Sequence, residues 1–197
     1  MKLSAVKPAI ALFVFTAASA LIVGFMFVLT EEPIAEQARI REERAIASLI
    51  PDFYQSEAVD LQNMLDTIAS PVVHRMMSVY DEANNELGFL FFAASPGYSG
   101  AVNVLVGFRP DGNLIGIRVI SHTETPGIGS VIVGTPFISQ FEGLSAPVSR
   151  ARNPQGQHEI AHVAGATISV EAVLRAVNEA WDIFAAVEGR PRTCRVR

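Results

Sequence analysis

The sequence has one cysteine among 197 residues and only two lysines, and both scarcities limit what the chain can be. The cysteine, Cys194, has no second cysteine with which to form an intrachain disulfide, so the fold must depend on its apolar core. A single thiolate also excludes an iron–sulfur cluster or a cysteine-based zinc site built from this chain alone.

Positive charge is scarce after residue 30, where 13 arginines oppose 20 acidic residues and give a formal charge of 13 − 20 = −7. This acidic balance argues against a nucleic-acid partner. The chain also lacks the GxGxxG fingerprint of dinucleotide-binding folds, which argues against NAD binding by this chain. Half of the residues are hydrophobic, and the length supports one globular domain with an appendage.

The appendage is an uncharged apolar stretch from Ala9 to Leu29. At about 1.5 Å per helical residue, this stretch matches the thickness of the hydrocarbon core of a bilayer. Cleavage as a signal peptide after Ala20 would leave nine more apolar residues, 21–29, at the new amino terminus, which favours an uncleaved transmembrane anchor. Both lysines precede the span and two glutamates follow it, which predicts a cytoplasmic amino terminus and an external domain.

Four segments follow from this division. Residues 1–30 form the cytoplasmic amino terminus and transmembrane helix, 31–70 a helical stalk and connection, 71–190 the globular domain, and 191–197 a basic tail. Pro33 marks the expected start of the stalk helix and Pro51 its end. Residues 52–69 are expected to form a second short helix or an irregular connection.

The globular domain is predicted to be α+β, with an antiparallel sheet and flanking helices. Alternating apolar residues predict two hairpins, each with a polar turn between its strands. Apolar spacings of three and four residues predict the last helix. The expected strands are residues 72–80, 87–94, 102–108, 114–121 and 160–163, and the expected helices are residues 135–141 and 168–188.

Two short motifs, about forty residues apart, carry the functional signal. The second motif, Gly165-Ala166-Thr167-Ile168-Ser169, opens the last predicted helix. Its backbone N–H groups and helix dipole favour a phosphate, the small residues keep the approach open, and Thr167 and Ser169 offer hydroxyls. Taken alone, the motif is explained by default as an ordinary N-cap role for Thr167.

The first motif is Glu124-Thr125-Pro126-Gly127-Ile128-Gly129. Its proline and glycines allow the backbone to approach a flat ring, while Glu124, Thr125 and the backbone N–H groups can satisfy the polar edge of that ring. Tyr98 either stacks near the ring or anchors the start of a strand. The two motifs together predict a flavin site, in which the protein sets the orientation and electrostatics of the ring.

With these motifs, the amino-terminal span and a Gly97-Tyr98-Ser99-Gly100 turn before a hairpin, the chain resembles the G subunit of the Rnf electron-transport complex. The related C subunit of the sodium-translocating NADH:quinone reductase shares the FMN-binding domain. The resemblance implies that Thr167 carries FMN through a phosphoester, installed from FAD by a flavin transferase. The family usually has Ser or Thr where this chain has Ala164, and often Asp where it has Ala161.

The resemblance also implies a role for the whole chain. It implies a single-pass protein of the bacterial inner membrane with a periplasmic domain, which contacts other membrane subunits of the complex partly through Ala9 to Leu29. The flavin would relay electrons in an ion-translocating ferredoxin:NAD oxidoreductase. No side chain need then act as an acid, base or nucleophile in turnover.

Two other hypotheses remain open. His158-Glu159-Ile160-Ala161-His162 matches the HExxH motif of zinc peptidases, and Asn178-Glu179 offers a third ligand. The surrounding residues favour a strand, however, in which the two histidines lie about 13 Å apart, too far to share one zinc. The other hypothesis is a cofactor-free periplasmic interaction module, with Ala161 and Ala164 as traces of a lost site.

Overall fold

The computed structural model describes residues 6–59, 70–156, 158–161 and 163–189. The predicted basic tail, Cys194 and part of the predicted connection therefore lie outside the described residues. The chain divides into two compact units, residues 1–43 and 44–197.

The first helix, α1, spans Val6–Leu49. Its apolar stretch is exposed, with Phe15 at 77% and Leu21 at 74% of full accessibility. In the part of the chain that the structure describes, α1 is the one helix long and apolar enough to cross a bilayer. Its length and apolar surface fit the predicted anchor.

Pro33 lies inside α1 and does not begin a separate stalk helix, so that expectation is corrected. A proline within a helix removes one backbone donor and strains the preceding turn. The helix nevertheless continues to Leu49, and on the next turns Arg39 pairs with Glu36 at 3.2 Å and with Glu43 at 3.6 Å. Pairs at these spacings each contribute a few tenths of a kcal/mol, so they support the helix only modestly.

A five-stranded antiparallel sheet forms the centre of the second unit, in the order β1-β2-β3-β4-β5. The four strands predicted from the two hairpins are confirmed as β2 to β5. The unpredicted strand β1 lies in the segment expected to be a short helix or an irregular connection, and there the expectation is wrong. The strands are β1 Gln55–Val59, β2 Val73–Tyr80, β3 Glu86–Pro96, β4 Ala101–Phe108 and β5 Leu114–Ser121.

The remaining elements follow β5. A 3₁₀ turn at Gly129–Val133 precedes the short helix α2, Thr135–Ile138, and a second 3₁₀ turn at Ser139–Phe141. Strands β6, Ser149–Ala151, and β7, Glu159–Ala161, form a separate parallel pair. The last helix, α3, spans Thr167–Val187, which confirms the prediction from its periodicity.

The core of the second unit lies on both faces of β3. On one face, α3 packs an aromatic cluster, in which the rings of Phe108 and Phe184 are stacked at 5.3 Å and Phe89 meets Phe184 edge-on at 5.5 Å. On the other face, Leu90 and Phe92 join a second buried cluster with Leu49 and neighbours at the end of α1. The first of these clusters holds α3 against the sheet.

Candidate functional site

The first motif folds into a tight turn after β5. Ile128 N donates to Thr125 O at 3.2 Å, with Pro126 and Gly127 between them. Gly127 has a φ of +76°, which an L side chain rarely adopts, and proline followed by glycine is the pattern of a type II turn. Pro126 and Gly127 therefore determine the direction of the chain.

The second motif opens with a turn of the same kind. Ala166 N donates to Val163 O at 3.3 Å, and Gly165 has a φ of +82°. Ala166 is the N-cap of α3 and makes no side-chain capping bond, while Thr167 is the first helical residue. The explanation of Thr167 as an N-cap is therefore wrong.

The two turns meet in a cleft of about 450 Å³. This volume lies within the ordinary range for small-molecule sites. Of the residues predicted for the site, all except Pro126 and Gly127 line it. Ile168 also lines the cleft, although it was not predicted as a site residue. The lining residues are Tyr98, Glu124, Thr125, Ile128, Gly129, Gly165, Ala166, Thr167, Ile168 and Ser169.

The wall of the cleft is apolar where it meets solvent. Tyr98 is 70% exposed, and Ile128 and Ile168 are about half exposed. Exposed large side chains at the mouth of a cleft offer apolar area to a flat ring. Ile168 was missed because an exposed apolar residue in the first turn of a helix does not indicate a binding site, and only its place beside Thr167 pointed to the cleft.

The two hydroxyls of the second motif differ in their environment. Ser169 is 2% exposed, and its Oγ donates to Glu124 Oε2. Thr167 is half-buried, and among the residues that the structure describes none forms a hydrogen bond with its hydroxyl. Of the two hydroxyls of the second motif, that of Thr167 is therefore the one that lines the cleft without such a partner.

Glu124 joins three separate segments of the chain. Its Oε1 accepts hydrogen bonds from Tyr98 N at 2.8 Å and Ser99 N at 3.0 Å, and its Oε2 accepts one from Ser169 in α3. Tyr98 and Ser99 belong to the turn that connects β3 directly to β4, so this turn lies within the hairpin. We refer to the carboxylate of Glu124 and the hydroxyl of Ser169 as the clamp.

Glu124 is ionised despite its burial. Burial of this side chain opposes ionisation, but the hydrogen bonds from Ser169, Ser99 and Tyr98 and the charge of His122 together hold the pKa below its ordinary value. The carboxylate therefore brings a fixed negative charge to the floor of the cleft at neutral pH.

The Glu124 carboxylate occupies space that a Cβ atom would need at two neighbouring glycines. A Cβ at Gly97 would lie 2.5 Å from Glu124 Oε1, and a Cβ at Gly129 would lie 2.6 Å from Glu124 Oε2 and 2.8 Å from Ser169 Oγ. Distances this short are not tolerated without movement. Gly129 is thus required by the clamp, whereas Gly127 and Gly165 are required by turn geometry.

The start of α3 supplies donors for an anion. The first N–H groups of a helix have no intrahelical acceptor, and the helix dipole places partial positive charge there. Here Thr167 and Ile168 stand at that end of a 21-residue helix and line the cleft. An apolar mouth, an anion-binding helix end and an unbonded hydroxyl together fit a flat ring that carries a phosphate, as FMN does.

The HExxH segment does not form a helix at its described positions. Strand β7, Glu159–Ala161, overlaps the predicted strand at residues 160–163, while His162 lies outside the described residues. His158 Nδ1 lies 2.7 Å from Ser145 O, and the side chain of Asn178 is bonded to both backbone groups of Val148. A zinc peptidase places both histidines on one helical face, and β7 does not provide that arrangement.

Comparison with known proteins gives the class of this site. Residues 97–182 match the FMN-binding domain, and residues 1–49 match the N-terminal region of RnfG. The crystal structure of NqrC from Shewanella oneidensis shares the fold, with a TM-score of 0.58 and 18% identity over 77% of this chain and 99% of that one. The molecule is a single-pass membrane protein with an FMN-binding domain.

Relatives over almost the whole length give the particular family. The chain is 32% identical to the G subunit of the ion-translocating oxidoreductase complex of Pseudomonas aeruginosa, over 92% of this chain and 89% of the relative. It is 29% identical to the G subunit of the Na⁺-translocating ferredoxin:NAD⁺ oxidoreductase complex of Acetobacterium woodii, over 90% of each. The chain belongs to the RnfG family and has an FMN-binding domain.

Proposed function

We propose that this chain carries FMN covalently on Thr167 and relays electrons through it within an ion-translocating ferredoxin:NAD oxidoreductase complex. FMN supplies reversible electron transfer at its ring, and the protein supplies binding, orientation and electrostatics. The Acetobacterium relative is named for this reaction with Na⁺, and a relative from Clostridium ljungdahlii, 34% identical over half of this chain, is named as proton-translocating.

The observation that carries the proposal is the environment of Thr167. Its hydroxyl has no bond to any described residue, it lines the cleft, and it lies at the positive end of α3. Ser169 also has a hydroxyl, but that hydroxyl is buried and bonded to Glu124. Of these two hydroxyls, only that of Thr167 is open to modification.

Attachment requires a second enzyme and FAD. In the proposed step, the Oγ of Thr167 forms a bond to the phosphorus on the FMN side of the FAD pyrophosphate. The pyrophosphate bond breaks, AMP leaves, and the hydroxyl proton is lost. Gly165 and Ala166 leave the approach to Thr167 unobstructed, because even a Cβ at Gly165 would meet only Ile128, at 3.8 Å.

Other residues of the cleft then hold the group by their position. The backbone N–H groups at Thr167 and Ile168 bind the phosphate, while the side chains at the mouth of the cleft contact the ring. The mouth is formed by Tyr98, Ile128 and Ile168, and the wall is completed by Thr125, Gly129 and Ala166.

The two departures from the family pattern are compatible with this arrangement. Ala164 lies in the turn before α3, between Val163 and Gly165, and a side chain larger than a methyl group is not needed to form that turn. Ala161 N donates to Gln140 Oε1 at 2.7 Å, so the position is held by its backbone. Neither alanine lines the cleft, which leaves the surroundings of Thr167 as described.

The anchor and its flanking charges support the topology. We propose that residues 9–29 of α1 cross the inner membrane, with the amino terminus in the cytoplasm and the FMN-binding domain in the periplasm. The apolar surface of α1 is exposed and is available to lipid and to integral membrane subunits of the complex.

Intact mass measurement of the full-length chain tests the proposal. The chain is expressed with and without a flavin transferase, as wild type, Thr167→Ala and Thr125→Ala, and denatured before analysis. Thr125→Ala is the matched control, because it removes another hydroxyl that lines the same cleft. We expect one FMN-phosphoryl addition that survives denaturation in wild type and Thr125→Ala, and none in Thr167→Ala or without the transferase.

The alternatives predict other results. Addition that persists in Thr167→Ala would overturn the attachment site, and a wild-type chain with neither covalent nor bound flavin would overturn the flavoprotein role. The latter result would favour the cofactor-free interaction module.

A further inference from the structure

The side-chain hydrogen bonds of the clamp link segments that are far apart in the sequence. Glu124 is 4% exposed and is bonded to the turn between β3 and β4 as well as to α3. Its bonding partners lie 26, 25 and 45 residues away in sequence. A residue with such partners fixes the positions of other segments.

On the basis of the proposed function, we propose that Glu124 and Ser169 are positioning residues of the flavin site. The clamp holds the Gly97–Gly100 turn, the Thr125–Ile128 turn and the start of α3 in the arrangement that forms the cleft. It also keeps one negative charge beside whatever occupies the cleft.

The first part of this inference follows from connectivity. Tyr98 is carried by one segment, Ile128 by the second, and Thr167 with Ile168 by the third, and all four residues line the cleft. The hydrogen bonds of Glu124 cross between these segments at the floor. Loss of the clamp removes three bonds to one buried carboxylate, and each such bond is stronger than a neutral one.

The second part follows from charge. Glu124 itself lines the cleft, so an FMN held there lies close to its carboxylate. Reduction adds negative charge to the ring, which a nearby fixed negative charge disfavours. Glu124 therefore lowers the midpoint potential of the flavin, and removal of its charge raises that potential.

Two substitutions separate the two parts. Glu124→Gln keeps the size of the side chain and a carbonyl acceptor for Tyr98 N and Ser99 N, but removes the charge. Ser169→Ala keeps the charge and removes one bond. Ser145→Ala is the control, because the Ser145 hydroxyl donates to Asn113 Oδ1 at 3.0 Å and is not part of the cleft.

The first measurement uses the full-length chain without flavin transferase, in detergent, and follows backbone hydrogen exchange at Tyr98 and Ser99. We expect exchange to become about tenfold faster in Glu124→Gln and in Ser169→Ala, and to be unchanged in Ser145→Ala. Unchanged exchange in both clamp variants would overturn the positioning role. This readout does not require flavin, so it remains decisive if the wild-type chain proves to carry none.

The second measurement is the midpoint potential of the flavin-loaded chains. We expect an upward shift in Glu124→Gln and none in Ser169→Ala or Ser145→Ala, because both serine variants keep the charge of Glu124. A Glu124→Gln chain that loads flavin and retains the wild-type potential would overturn the charge effect. If Glu124 had a structural role alone, its substitution would change the stability of the chain and leave the midpoint potential of the flavin unchanged. Absence of flavin from wild type would instead count against the proposed function.

Discussion

Substitution of Gly129 by alanine tests the geometry of the clamp directly. Gly129 is outside the left-handed region, so alanine brings no backbone strain there, and its whole effect comes from the new methyl group. That methyl would lie 2.6 Å from Glu124 Oε2, 2.8 Å from Glu124 Cβ and 2.8 Å from Ser169 Oγ. All three contacts are too short, so at least one of the two side chains must move.

The expected magnitude follows from what has to move. Overpacking a buried site costs about 1–3 kcal/mol, and loosening one hydrogen bond to a charged group costs about 1.5–3 kcal/mol. The two are alternative responses to one clash, so we expect Gly129→Ala to lose about 2–3 kcal/mol of unfolding free energy. For a unit of this size, that corresponds to a fall of about 5–10 °C in melting temperature.

Thermal unfolding followed by circular dichroism, on the full-length chain in detergent and without flavin, measures this effect. Gly156→Ala is the matched control, because its new Cβ would meet nothing closer than Glu159 Cδ at 3.7 Å. We expect the control to stay within about 0.5 kcal/mol of wild type. If Gly129→Ala melts together with Gly156→Ala, the steric reasoning is refuted and the packing around the carboxylate is looser than described.

Two further predictions concern charge and packing. The folded-state pKa of Glu124 is lowered, so its ionised form contributes stability that is fully present above the unfolded pKa and is lost as the pH falls through the folded pKa. Urea titrations from neutral to acid pH should therefore show a smaller acid-induced loss of stability in Glu124→Gln than in wild type. His122, which faces Glu124, is present in both chains, so its titration does not account for the difference. Parallel pH profiles of the two chains would contradict the prediction. Trp181 Nε1 is buried and has no described hydrogen-bond partner, so Trp181→Phe loses ring area but no bond. We expect a cost below about 2 kcal/mol in the same titrations, and a loss above about 4 kcal/mol would indicate a polar contact at Nε1.

Elements whose signal is local could be predicted from the sequence. The hairpin of β4 and β5 follows from Pro110, Asp111 and Gly112 between two apolar runs, and α3 follows from its apolar spacing. Strands β1 and β6 could not be predicted in this way, because their residues become strands only by pairing with another segment of the chain. The continuation of α1 through Pro33 was missed for the related reason that local breaker signals can be overridden.

The members of the site were predicted better than their roles. The order of the two motifs behind the membrane anchor, together with the resemblance to the G subunit, indicated that they belong together, and the structure brings most of their residues to one cleft. Glu124 and Ser169 were expected to offer polar groups to the ligand, yet they bond to each other. That pairing joins residues 45 positions apart, and neither periodicity nor turn chemistry reports such a contact.

The clamp also gives a physical reason for the spacing within the first motif. The Thr125–Ile128 turn reverses the chain, so that Gly129 returns to the side chain of Glu124. Proline and the first glycine are needed for that reversal, because the turn requires a fixed φ and then a positive one. The second glycine is needed because the carboxylate occupies the space of its Cβ. A change at Glu124 should therefore relieve the restriction at Gly129, and the double variant Glu124→Ala with Gly129→Ala should cost less than the sum of its parts.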